Sequence, residues 1–268
     1  MTEQSEKTPQ PMHDLTFVES EQDGPVCTVW LNRPPVNATD QQLYGEIAHF
    51  FTNVENYYPD ARVVILAGRG SNFCGGNDLA EFQTMNPGNA PERLKTAREA
   101  FWAIYDSPLP VIAAVHGVAV GSGLAIAASC DLVMAAEGAR FATPEVNVGV
   151  LGGAKHLSRL VPQGVVRLMH YTGDLYSAEK LVSYGGIVDV VPAARLLEEA
   201  TTLARSIARH SPVALRLAKR SLNGIEFADL KPGYEFEQSL TLELSGYEDS
   251  KEAVNAFLER RPPVYTGR

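Results

Sequence analysis

Two short runs constrain the fold more than anything else in the chain. Val63–Ala67 (VVILA) and Pro110–Val115 (PVIAAV) are apolar at every position, without the polar alternation of a strand that has one wet face. Such runs suit strands buried on both faces. A sheet covered on both sides needs helices above and below it, and therefore crossover connections. The rest of the chain supplies them. Thr39 or Asp40 can cap a helix from about Gln41 to Asn56, with Leu43, Ile47, Phe50, Phe51 and Val54 at helical spacing. Val26–Leu31 (VCTVWL) is a β-rich run stopped by Asn32-Arg33-Pro34-Pro35, and Glu92–Tyr105 returns to helical spacing. Asp131–Ala135, Arg140–Ala142 and Ile187–Val191 read as further strands, and about Ala194–Arg260 as nearly all helix. The expectation is an α/β fold.

Composition narrows the function. The 268 residues are 45% hydrophobic and 21% charged, enough for a real core, and the formal net charge of −9 offers no global field for nucleic acid or anionic membrane. No nucleic-acid or membrane partner is expected. The longest apolar candidate, Val111–Ala136, is broken by Gly117, Gly121, Gly123 and Asp131, so it falls short of the roughly 20 residues of a membrane span. Residues 1–15 are polar, lack the apolar core of a secretory signal, and are expected to form a disordered leader. Cys27, Cys74 and Cys130 are widely spaced in apolar contexts, as free thiols in a reducing cytoplasm would be. No Cys/His spacing resembles a metal site.

Two loops share one design: apolar strand, glycine cluster, helix start. They are Phe73-Cys74-Gly75-Gly76-Asn77-Asp78 and Val120-Gly121-Ser122-Gly123-Leu124. Glycine lets backbone approach a ligand, and a helix start leaves amide N–H groups unpaired. Two such amides aimed at one point would make an oxyanion hole; two tight turns that only close a sheet would look the same. Other readings of these glycines fail. The third glycine of a dinucleotide fingerprint is Ile126, no phosphate loop occurs, and Val120 and Leu124 occupy the glycine positions of a nucleophile elbow around Ser122.

Ala113–Asp131 (AAVHGVAVGSGLAIAASCD) and Asn72–Phe82 (NFCGGNDLAEF) closely resemble core motifs of the enoyl-CoA hydratase/isomerase (crotonase) superfamily. The resemblance continues through Phe141–Glu145, Gly149–Leu160, Thr172-Gly173 with Ala178-Glu179, and Asp249–Arg261, and so covers about residues 25–265. It implies a crotonase-like β-β-α spiral core with a helical C-terminal region, which would divide the chain into a core at 16–195 and an oligomerisation region at 196–268, building trimers or hexamers. It implies an acyl-CoA thioester substrate, handled as an enolate held by two backbone amides, here Asn77 and Ser122. No cofactor is expected beyond the coenzyme A of the substrate. Coenzyme A would contact Arg33, Gly75, Gly76, Asp78, Leu79 and Gly121, with Arg261 and Tyr265 resembling a tail segment that reaches a neighbouring subunit's CoA.

Family hydratases use two carboxylates. One position is filled by Glu145 in Pro144-Glu145-Val146-Asn147-Val148-Gly149; the other is Ala125. Hydration needs water oriented and deprotonated as well as a proton delivered to Cα, whereas moving a double bond from the 3- to the 2-position needs one base. The expectation is a Δ3,Δ2-enoyl-CoA isomerase acting through Glu145, and Asn32–Asn37 (NRPPVN) resembles a string found in such isomerases. A hydratase or dehydratase is the alternative, followed by a catalytically idle acyl-CoA binder and a serine hydrolase using Ser122. Glu81, Lys155 and His156 could assist Glu145, and Phe82, Met85 and Phe101 would line the acyl pocket. Asp78 reads more readily as a helix cap, and His116 as a structural histidine.

Overall fold

The computed structural model describes residues 15–268, so the leader expected at 1–15 falls almost wholly outside the described residues. The chain opens with an antiparallel pair, β1 (Val18–Asp23) and β2 (Val26–Leu31). Helix α1 (Gln41–Tyr57) leads into β3 (Val63–Gly68). The short α2 (Leu79–Phe82) and then α3 (Ala90–Tyr105) return it to β4 (Val111–Val115). A tight reversal gives β5 (Val118–Val120), followed by α4 (Ser122–Ser129), β6 (Leu132–Ala136) and β7 (Arg140–Ala142). Helices α5 (Ala154–Leu157) and α6 (Gln163–Thr172), strand β8 (Tyr176–Ser177), helix α7 (Ala178–Ser183) and strand β9 (Asp189–Val191) complete the core. Four helices follow: α8 (Leu196–Ala208), α9 (Pro212–Ile225), α10 (Leu230–Ser245) and α11 (Glu248–Glu259).

The six-stranded sheet runs β1-β2-β3-β4-β6-β9, parallel throughout except at β1–β2, and a three-stranded sheet β5-β7-β8 stands beside it. The apolar run in β3 behaves as its composition requires. Val64 and Leu66 enter the core shared with α1, α3 and α4, while Val63, Ile65 and Ala67 face Leu196, Ala200, Ala204 and Ala208 of α8. All six residues of β3 are buried. Small residues on the inner face of α8 let that helix lie close to the sheet. Helices α9 and α10 bury a separate small cluster, Val213, Leu217 and Leu240.

Strand β1 has no counterpart among the sequence expectations, so the run that ends before Arg33, Val26–Leu31, is the second strand. Its alternation of half-buried and exposed positions (VESEQD) is weak, because only Val18 is fully buried. The three cysteines are free and buried, and burial pushes the Cys27 and Cys74 thiols up to about 12. No helix among the described residues is long and apolar enough to cross a membrane.

Candidate active site

Backbone contacts that exclude side chains join the two glycine loops. Cys74 bridges Ala119 of β5 in parallel fashion, and a Cβ on Gly123 would stand 2.3 Å from the Cys74 carbonyl oxygen. Only glycine fits at that approach. On the other side, Thr39 pairs with the first loop. Its N–H donates to Gly76 O at 2.8 Å and its carbonyl accepts from the Asp78 N–H at 2.8 Å. In a parallel bridge of this kind the opposed residue, Asn77, turns its own N–H away from its partner strand. Ser122 begins α4, so its N–H lies among the first-turn donors that a helix leaves unpaired. Neither amide has an acceptor among the described residues.

Side chains tie the same two loops together. The Thr39 and Ser122 hydroxyls share a hydrogen bond of 2.7 Å, Thr39 Oγ1 donates to Tyr44 OH at 3.0 Å, and Tyr44 OH donates to Asn77 Oδ1 at 2.6 Å. Thr39 and Tyr44 are buried, and burial pushes the Tyr44 phenol well above its ordinary range, keeping it a neutral donor. Neither residue was among those expected at the site. Thr39 read only as an alternative cap for α1, a task that Asp40 performs through Leu43 N–H at 2.8 Å. Among the described residues the hydroxyl of Ser122 bonds to Thr39 and to no histidine, so that geometry gives a serine hydrolase no activated nucleophile.

Glu145 lies in a 3₁₀ turn, Pro144–Val148, closed by Gly149 in the left-handed conformation (φ 72°). It is only 8% exposed, and its Oε2 is buried with no hydrogen-bond partner. Its Oε1 lies 3.7 Å from where a Cβ on Gly121 would be, and 2.7 Å from one on Gly153. The carboxylate thus fits between the start of α4 and the Gly152-Gly153 turn because both places lack side chains. Burial raises its pKa, opposed by a local backbone hydrogen bond and by the field of His170. An unpaired, desolvated carboxylate of this kind is suited to taking up and returning a proton.

A cavity of about 560 Å³ gathers Asn77, Ser122, Ala125 and Glu145, with Phe82, Met85 and Phe101 among its apolar walls. Ala125, 1% exposed, faces the same space as Glu145. The other acids on this cavity are already engaged. Glu81 meets Arg93 at 3.5 Å and accepts from Gln41 N–H, and Asp78 caps α2 through Ala80 and Glu81 N–H while pairing with Arg33 at 2.7 Å. The cap expected of Asp78 is therefore present, and Arg33 holds its pKa below the ordinary carboxylate range. His116 bonds Gly70 O at 3.0 Å, as a structural histidine would.

The remaining expected residues divide. Gly76 and Gly121 abut one another behind the cavity, Gly75 packs against Val36, and Leu79 is exposed at the start of α2. Arg33 does not line the cavity; its guanidinium sits between Asp40 (2.9 Å) and Asp78. Arg261 pairs with Glu252 and Glu259 and Tyr265 borders a different cavity, so the chain does not bring either to Glu145. Lys155 stands 3.6 Å over the Phe227 ring, outside the cavity, whereas His156 lines it.

Comparison with known proteins gives the family. The family model for enoyl-CoA hydratase/isomerase matches residues 21–268. The chain belongs to the enoyl-CoA hydratase/isomerase family. Its relatives include a (7aS)-7a-methyl-1,5-dioxo-2,3,5,6,7,7a-hexahydro-1H-indene-carboxyl-CoA hydrolase from Rhodococcus jostii, 36% identical over 89% of this chain and 92% of that one. A short-chain-enoyl-CoA hydratase from Clostridium acetobutylicum is 34% identical over 92% of this chain and 97% of that one. A crystal structure of an enoyl-CoA hydratase from Bacillus anthracis superposes with a TM-score of 0.89 at 32% identity, covering 94% of this chain and all (100%) of the other. The crotonase-like α/β core with its helical C-terminal region is thus the fold of this family member, and an acyl-CoA thioester substrate is consistent with that family.

Proposed function

We propose that this family member is a Δ3,Δ2-enoyl-CoA isomerase. The observation that carries the reading is one buried carboxylate, Glu145, whose Oε2 has no hydrogen-bond partner among the described residues, in a cavity that is also lined by alanine at position 125. In the proposed reaction Glu145 takes a proton from C2 of a 3-enoyl-CoA. The electron pair moves to the thioester oxygen, giving a dienolate, and Glu145 returns the proton to C4 as the double bond forms between C2 and C3. The Asn77 and Ser122 amides would hold the enolate oxygen, each such donor being worth a factor of about 10²–10³ in rate. Gly75, Gly76, Asp78, Leu79 and Gly121 would contact the CoA chain. Arg33 would contribute only what its two carboxylate partners leave, and Arg261 and Tyr265 would serve a neighbouring subunit's ligand.

Hydration of a 2-enoyl-CoA needs a second acid or base, and Glu81 and Asp78 are held by other partners. A second reading has its own support: two relatives, at 36% and 35% identity, are named as hydrolases of a dioxo bicyclic acyl-CoA. Water activated by Glu145 alone would suit that chemistry too. The purified protein should be given 3-enoyl-CoA, 2-enoyl-CoA of the same length and a cyclic dioxo acyl-CoA. Turnover of the first well above the others supports the isomerase, whereas hydration of the second at an ordinary enzyme rate, roughly 10 s⁻¹, overturns it. Cleavage of the third alone establishes the hydrolase.

A further inference from the structure

Glu145 is not the only polar group left open in the cavity. His156, on α5, is half-buried in its wall, and its ring nitrogens make no hydrogen bond among the described residues. The imidazole is held by packing instead: its ring meets Phe101 edge to face at 4.8 Å, and Phe101 meets Tyr44 in the same manner at 5.7 Å. Tyr44 holds Asn77, so a row of rings leads from the first glycine loop to His156. Gly153, beside the Glu145 carboxylate, precedes His156 by three residues, a rise of about 4.5 Å along a helical turn. Phe101 and His156 also border a second cavity of about 360 Å³, walled by Trp102, Tyr105 and Phe227. His156 and Phe101 thus lie between the two cavities, on the side of the first that the Gly152-Gly153 turn and α5 form.

A ring fixed there with free nitrogens has no structural bond to make. Burial and the nearby Arg159 both lower its pKa, so it is a neutral donor and acceptor. Two neighbouring cations are engaged: Lys155 lies over Phe227, and Arg159 is paired with Glu226 at 2.8 Å. A neutral imidazole offers a donor or an acceptor to a neutral oxygen directly, whereas a carboxylate would draw instead on Arg98, which lines the same cavity without a carboxylate partner among the described residues.

We propose that His156 is a specificity-determining residue, holding by a hydrogen bond an uncharged oxygen function, a ketone or hydroxyl, on the acyl chain beyond the reacting carbons. The proposal rests on the acyl-CoA site described above, but not on which reaction Glu145 performs. Its test is therefore binding of unreactive saturated esters. Titration calorimetry would compare a medium-chain acyl-CoA with the same chain bearing one keto group near its far end and with the same chain ending in a carboxylate. The keto ester should bind about tenfold more tightly than the plain one, the scale of one hydrogen bond. The variant His156→Phe, which keeps the contact with Phe101, should bring that ratio to about one while leaving the plain ester within about twofold. The variant His156→Gln, which restores a donor and an acceptor, should recover part of it. Equal binding of keto and plain esters, an unchanged ratio in His156→Phe, or tightest binding of the carboxylate would each overturn the proposal. Failure of every ester to bind would overturn it together with the acyl-CoA reading of the cavity, whereas absent isomerase turnover with a tenfold keto preference would overturn the isomerase alone.

Discussion

The chemistry of this protein is argued from single residues, and two positions decide it. Glu145 has a raised pKa because it is buried, so as a base it should work only above that value. The ratio kcat/KM should fall as pH drops through an apparent pKa above the ordinary glutamate value of about 4.3. The stability consequence runs the other way. A carboxyl whose folded pKa is raised favours folding below its unfolded pKa and loses that contribution as pH rises through the folded one. Glu145→Gln, neutral throughout, should therefore melt higher than the wild type at neutral pH, with the difference vanishing in acid; an unchanged or lower melting temperature at neutral pH contradicts the burial argument. Ala125 is the second position. Ala125→Glu would place a carboxylate beside Glu145 near the start of α4, which a helix N-terminus favours by about 0.3–1 kcal/mol, while the two charges raise each other's pKa. We expect some gain of 2-enoyl-CoA hydration and some loss of isomerisation, read as paired rates on matched chain lengths; unchanged rates would mean that position 125 does not take part.

At the scale of elements, much was legible in the sequence for a physical reason. Continuous apolar runs have few places to go, so β3 and β4 could be placed within a residue, and Leu43, Ile47, Phe50, Phe51 and Val54 are all buried on α1 as their spacing requires. Both glycine loops could be picked out because their backbones pass closer than a side chain permits. What the sequence hid is what depends on contacts between distant segments. Strand β1 shows little pattern of its own and is fixed by pairing with β2. Thr39 looks like a cap until the fold sets it across from Gly76 and Ser122, and Tyr44 looks like one more core aromatic until its hydroxyl meets Asn77. The glycine argument makes a prediction at this scale. Gly123→Ala would drive a Cβ into the Cys74 carbonyl, at 2.3 Å, and should destabilise the protein by about 1–3 kcal/mol in denaturant unfolding. Wild-type stability in that variant would show that the two loops are not tightly apposed.

For the whole molecule, the helices beyond α8 leave several large apolar residues exposed. Leu222, Leu242, Phe257 and Leu258 are 62%, 75%, 84% and 72% exposed, whereas Leu217 is buried against α10. Exposed apolar area of this kind marks an interaction surface. The account predicts a trimer or hexamer by light scattering at micromolar concentration, with a monomer as the contrary result, and Arg261 and Tyr265 would then be free to reach a neighbour's ligand. Everything else converges on one carboxylate, and the most direct measurement is turnover of 3-enoyl-CoA by Glu145→Gln. The amide nearly matches the carboxylate in shape but cannot take the proton. Turnover should fall by about 10²–10⁴, the usual contribution of a general base, while binding of the CoA ester stays within a few-fold. Full turnover in that variant would contradict the account and move the chemistry to Glu81 or His156.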